Sequence, residues 1–108
     1  MKKGRKMEDQ IQTNVVEKED VQLKEPKMWE VRLHNDDYTP MDFVVLVLKL
    51  VFNKTQKDAE AIMLKIHKSD CEVIGKYTYE IAETKVMQTK FLNEKYEYSL
   101  KCTMEEEK

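Results

Sequence analysis

From residue 28 the chain alternates. In MWEVRLH, Met28, Glu30, Arg32 and His34 interleave with Trp29, Val31 and Leu33. A period of two is that of a strand with one face buried. After HNDDYTP the apolar positions run almost unbroken from Met41 to Phe52, a pattern that suits a helix buried on several sides. Thr39 has the chemistry of its N-cap and Pro40 that of the first helical position, and Asp42 places a carboxylate in the first turn, where the dipole favours it. NKTQKDAEAIMLKIHKSD predicts a second helix capped by Thr55, with Ala59, Ile62, Met63, Ile66 and Asp70 at spacings of three and four. CEVIGKYT is short and β-branched in its middle, the mark of a strand, and YEIAETKVMQTKFLNEK is helical. YEYSLKCTM puts Tyr96, Tyr98, Leu100 and Cys102 on one face and predicts the last strand, leaving EEEK as a frayed, solvated end. The order is strand, helix, helix, strand, helix, strand. It predicts an α+β fold, a small three-stranded, mostly antiparallel sheet packed with three helices.

Residues 1–26 break this pattern. They hold six basic and six acidic residues and no aromatic one, and their apolar residues are scattered. Such a segment cannot bury enough surface to offset its ordering entropy. It is expected to be a flexible N-terminal extension, either inert or an arm that reaches a partner. The compact core is expected over residues 27–104, with residues 105–108 a disordered C-terminal end.

Composition narrows the function classes. Of 108 residues, 41% are apolar and 37% charged, which suits one soluble domain with a small core. The net charge of −2 provides no field for nucleic acid or an anionic membrane. The longest apolar run, FVVLVLKLVF, is far shorter than the roughly 20 residues of a spanning helix. MKKGRK has no apolar region behind it, so it is not a secretory signal. Cys71 and Cys102 share no metal-type spacing and are expected to be reduced thiols of a cytoplasmic protein.

No GxSxG, Gly-rich phosphate loop or HExxH occurs, and catalysis is not expected. His34, Asp36, Asp37 and His67 have the donor types of a zinc or iron site, but their spacing is no known ligand pattern. The bland reading of Asp36, Asp37 and Thr39 is a turn and a helix cap. The alternative is a receptor for an amine. Asn35 provides an amide oxygen, Asp36 a carboxylate and neutral His67 one ring nitrogen, acceptors that match the three donors of an ammonium group. Met41 and Val44, three apart, and Met63 and Ile66, three apart, would line a hydrophobic hole beside them, with Leu100 closing its far side.

At these residues the chain resembles a known family. VRLHNDDYTPMDFVVLVL, AEAIMLKIHKSD and YEIAETKV, in that order, resemble ClpS, the adaptor of the Clp protease that recognises N-terminal destabilising residues. The likeness runs from about Trp29 to Thr103. It implies a monomeric, non-catalytic cytoplasmic adaptor without cofactor or metal. Such an adaptor captures proteins that begin with Leu, Phe, Tyr or Trp and delivers them to the N-domain of the ClpA unfoldase of ClpAP. The resemblance assigns Asn35, Asp36 and His67 to the α-amino group and Met41, Val44, Met63, Ile66 and Leu100 to the side-chain pocket. Met41 then acts as gatekeeper against β-branched residues, Asp37 and Thr39 lie at the rim, and Glu80 and Lys85 contact the unfoldase. The N-terminal arm would correspond to the extension used in delivery. Three departures carry consequences, of which Lys68, beside His67, adds positive charge near the amine site and weakens it slightly. Asp70 stands where the family often has glycine, so the second helix is expected to terminate differently. Ile66, in place of the commoner valine, narrows the pocket by one methylene and disfavours Trp. The rival readings are a modulator that binds the unfoldase without reading N-termini, and a small metal-dependent enzyme.

Overall fold

The computed structural model describes residues 26–108; the expected extension falls almost wholly outside them. Six elements follow in the order β1 (Trp29–His34), α1 (Met41–Leu50), α2 (Gln56–Ser69), β2 (Cys71–Tyr77), α3 (Tyr79–Tyr96) and β3 (Cys102–Glu106). The strands form one antiparallel sheet in the order β2-β1-β3. The α+β expectation is therefore met element for element.

The alternation in β1 does what its period requires. Val31 and Leu33 are fully buried, and Glu30, Arg32 and His34 lie on the other face, only partly covered. Opposite the step from Val31 to Arg32, β2 carries an extra residue, Ile74, in a bulge. The next residue is Gly75, where a Cβ would collide with the ring of Tyr77. Helix α1 buries Phe43, Val44, Val45, Val47 and Leu48, and Val51 and Phe52 extend the same core. It packs on α2, which in turn lies against β2, while α3 covers all three strands.

Of two helix starts read from the sequence, one holds and one does not. Thr55 caps α2 as expected, its side chain accepting from the backbone N–H of Asp58 at 3.1 Å. Thr39 does not cap α1. Pro40 takes the cap position, and its carbonyl accepts from Phe43 and Val44. The Thr39 hydroxyl instead donates to the carboxylate of Asp36. Proline has no side-chain acceptor, so α1 starts without a side-chain cap, and the Pro40 carbonyl alone meets the Phe43 N–H of the first turn.

The last strand is a second correction. The expected strand over residues 96–104 is instead the end of α3, a loop and the start of β3. Helix α3 runs through Tyr96 and stops at Glu97, which adopts the left-handed conformation at φ 63° and ψ 42°. The alternating tyrosines are explained by packing: the rings of Tyr96 and Tyr98 lie 5.8 and 4.7 Å from that of Phe43. β3 then reaches Glu106, whose partner is Trp29, and Glu107 donates its backbone N–H to Met28. EEEK is thus held by the sheet over most of its length, because cross-strand pairing with β1 extends beyond the apolar pattern.

Helix α2 ends where the sequence suggested difficulty. Asp70 takes φ 73° and ψ −31°, while its N–H still closes on the carbonyl of Ile66 at 3.0 Å. Asp therefore does the work of glycine here, in a conformation that an L side chain disfavours. The backbone carbonyl of Asp70 accepts the N–H of Asn35 at 2.6 Å, so this helix end fixes the start of the polar loop.

Candidate functional site

The loop from Asn35 to Pro40 lies between the end of β1 and the start of α1, and it faces the last turn of α2. Between them is a cavity of about 280 Å³, slightly below the roughly 300–1,000 Å³ of sites for drug-sized ligands. Its apolar walls are Met41 and Val44 from α1 and Met63 and Ile66 from α2. Asn35, Asp36, Asp37 and Thr39 come from the loop, and His67 from one turn beyond Met63. Ten of the twelve residues that sequence assigned to a site thus include nine gathered on one lining, all but Leu100; the other two, Glu80 and Lys85, were assigned to a different surface.

The loop is held from within. The Asp36 carboxylate accepts the backbone N–H of Tyr38 at 3.2 Å, the Thr39 hydroxyl, and the Ser99 hydroxyl at 3.2 Å. These donors, Thr39 foremost, hold its pKa below the usual carboxylate value. A carboxylate has about four lone-pair sites. Three acceptances leave it ionised, fixed in orientation and still able to receive one more donor. Thr39 is buried, which ties the cap-like residue to the anion rather than to the helix.

Leu100 is the exception. It is 2% exposed in the core and does not line the cavity. Asn93 clamps its backbone from both sides, donating to its carbonyl at 2.8 Å and accepting its N–H at 3.1 Å. This holds the side chain in the core cluster with Val44 and Ile66.

Two lining residues were not assigned to the pocket by sequence, His34 and Pro40. His34 had been considered only as a metal donor. Its Nε2 pairs with the Thr103 hydroxyl at 2.8 Å, and burial, then the charges of Lys101 and Arg32, lower its pKa. A neutral ring is the form this environment favours. Its strand position, last in the alternation and next to Asn35, was the available signal. Ser99 had none, since it meets Asp36 across 63 residues. Among the described residues no three His, Cys, Asp or Glu side chains converge to hold a metal ion. Cys71 and Cys102 are both free, and burial pushes the Cys102 thiol up to about 11. No helix among the described residues is long and apolar enough to cross a membrane.

Glu80 and Lys85 lie apart from the cavity, on α3. Glu80 is exposed in the first turn. Lys85 is partly covered: its Nζ donates to the Val51 carbonyl at 2.8 Å, at the C-terminal end of α1, and lies 5.6 Å from the centre of the Tyr77 ring. It therefore has a structural role whatever else it touches.

The chain as a whole matches known proteins. A family profile described as the ATP-dependent Clp protease adaptor protein ClpS matches residues 24–103. The ATP-dependent Clp protease adapter protein ClpS of Desulfotalea psychrophila is 48% identical over 100 residues, covering 93% of this chain and 98% of the relative. That of Bdellovibrio bacteriovorus is 54% identical over 85 residues, covering 79% of this chain and 75% of its own. Among solved structures, Agrobacterium tumefaciens ClpS2 bound to L-phenylalaninamide aligns with a TM-score of 0.73 at 36% identity, over 77% of this chain and 100% of that one.

Proposed function

The chain belongs to the ClpS family of Clp protease adaptor proteins, and from that premise we propose that it captures proteins by a free N-terminal Leu, Phe, Tyr or Trp. It hands them to the N-domain of a ClpA-type unfoldase and performs no catalysis itself. One observation carries this reading: a cavity sized for one side chain has apolar walls, while a fixed carboxylate and two further acceptor residues belong to the same lining. The side chain enters between Met41, Val44, Met63 and Ile66. The ammonium group is received by Asn35, Asp36 and His67, with Asp37 and Thr39 at the rim. The related ClpS2 holds phenylalaninamide, which is an aromatic amino acid with a free α-amine and no following residue.

Met41, 47% exposed, is the wall that a side chain branched at Cβ would meet first on entry. The unfoldase contacts Glu80 and the exposed part of Lys85. The adaptor works as a cytoplasmic monomer, with neither nucleic acid nor membrane as partner. A fluorescent peptide beginning with Leu or Phe should bind, and its N-acetylated twin should not, because acetylation removes the charge and two donors. Equal affinity of the two peptides would refute the assignment of the acceptors. Unfoldase binding lost on Glu80→Ala, with peptide binding retained, would separate the two surfaces.

A further inference from the structure

Behind Met41 and Met63 a second opening begins. It is a groove of about 570 Å³ between α1 and α2, and these two methionines line both it and the cavity described above. The groove has its own stripe on each helix. Asp42, Val45, Leu46 and Lys49 follow at spacings of three, one and three along α1, and Glu60, Met63 and Leu64 share a face of α2. Its far end is closed by a polar chain, Lys49 Nζ donating to the Gln56 side-chain Oε1 at 2.7 Å and Gln56 Nε2 donating to the Glu60 carboxylate at 2.7 Å. Leu64 is 50% exposed there.

We propose that this groove is a second subsite, which takes an apolar side chain at the third residue of a captured N-terminal segment. The inference rests on the pocket reading above. It adds an occupant fixed by backbone geometry. Side chains of an extended peptide alternate, so residues one and three point the same way, roughly 6.5 Å apart. Residue two points away. With the first side chain inside the cavity, the third comes over the partition formed by Met41 and Met63. Methionine tolerates such a neighbour because its unbranched thioether adapts its shape. The floor beyond it is Val45, Leu46 and Leu64, so an apolar side chain is the one that gains.

The test uses the full chain and three peptide amides, Phe-Gly-Gly, Phe-Gly-Leu and Phe-Leu-Gly, with phenylalaninamide as the reference ligand. Phe-Gly-Leu should bind roughly fivefold more tightly than Phe-Gly-Gly, the effect of burying about 40 Å² of apolar surface. Leu64→Ala should cut that advantage to less than about twofold, and Leu64→Met should retain it. Phenylalaninamide should bind all three proteins alike. An advantage for Phe-Leu-Gly instead, or one that survives Leu64→Ala unchanged, overturns the subsite. Phenylalaninamide binding without any third-residue effect overturns the groove alone. No phenylalaninamide binding overturns the pocket reading and the subsite with it.

Discussion

Asp70 offers the sharpest test of how the site is supported. At φ 73° and ψ −31° it closes α2, and its carbonyl holds the Asn35 N–H at 2.6 Å. Asp70→Gly removes the Cβ that makes this backbone costly. A left-handed conformation costs an L-residue about 1–2 kcal/mol, less for Asp, whose short side chain can bond locally. Glycine gives back about 0.5–1 kcal/mol through the greater freedom of its unfolded chain. Removing a carboxylate from a helix C-terminus adds about 0.3 kcal/mol in the variant's favour. The net expectation is a gain of about 0.5–1 kcal/mol. For a core of this size that is a rise of roughly 2–8 °C in Tm, measurable by differential scanning calorimetry. Asp70→Ala is the essential control, since it removes the same charge but keeps the Cβ. It should melt below the glycine variant. Phenylalaninamide affinity should be unchanged in Asp70→Gly, because the carbonyl that orders Asn35 stays in place. A glycine variant no more stable than the alanine variant would refute the reasoning, because it would show that a Cβ costs nothing at this backbone conformation.

Two further outcomes are expected. His34 has its pKa lowered from 6.5 by burial and then by Lys101 and Arg32, with Glu105 opposing. Protonation therefore favours the unfolded chain. The His34 contribution to stability is complete above pH 6.5, declines as the pH falls from there to the folded-state pKa, and is constant below it. Urea midpoints of wild type and His34→Gln between pH 5 and 7.5 should diverge in that sense, and parallel curves would contradict it. Lys85→Met removes the bond from Nζ to the Val51 carbonyl and a cation from the end of α1. The loss should be about 1 kcal/mol, a fall of roughly 4–8 °C in Tm. An unchanged melting temperature would show that water replaces the bond without cost.

The Lys85 result bears on how the proposed unfoldase surface should be probed. A substitution there changes the fold and the surface together, whereas Glu80 is exposed in the first turn of α3. Loss of partner binding in a Lys85 variant has meaning only beside its melting curve; in a Glu80 variant it reports on contact.

What was legible in the sequence was local. Val31 and Leu33 are buried because a strand repeats every two residues, and Thr55 caps α2 because its hydroxyl needs only the N–H three residues on. The pocket walls were legible for the same reason, since pairs three apart on a helix must share a face. The errors occur where a group had a second possible partner that the helix or strand rule does not contain. Thr39 could cap α1 or bond Asp36, and it bonds Asp36, which Ser99 also holds from 63 residues away. Tyr98 and Leu100 alternate as a strand would, yet Phe43 holds the one and Asn93 clamps the backbone of the other. No local rule contains Phe43, which lies in another helix.

These bonds also bear on the proposed receptor role of the polar loop. Left to local rules, NDDYT would be a turn with solvated carboxylates, free to rotate and to follow any cation. Here the loop is fixed at both ends, by the Asp70 carbonyl on the Asn35 N–H and by the Thr39 and Ser99 hydroxyls on Asp36. An acceptor already ordered by the fold loses little further freedom on binding, so more of each new hydrogen bond appears as affinity. The helix cap that Thr39 gives up is the cost of that order, about 1 kcal/mol, and Pro40 reduces it by starting α1 with a fixed φ and no N–H to satisfy. The same substitution of one partner for another that misled the local reading is what orients Asp36 beside the hydrophobic walls.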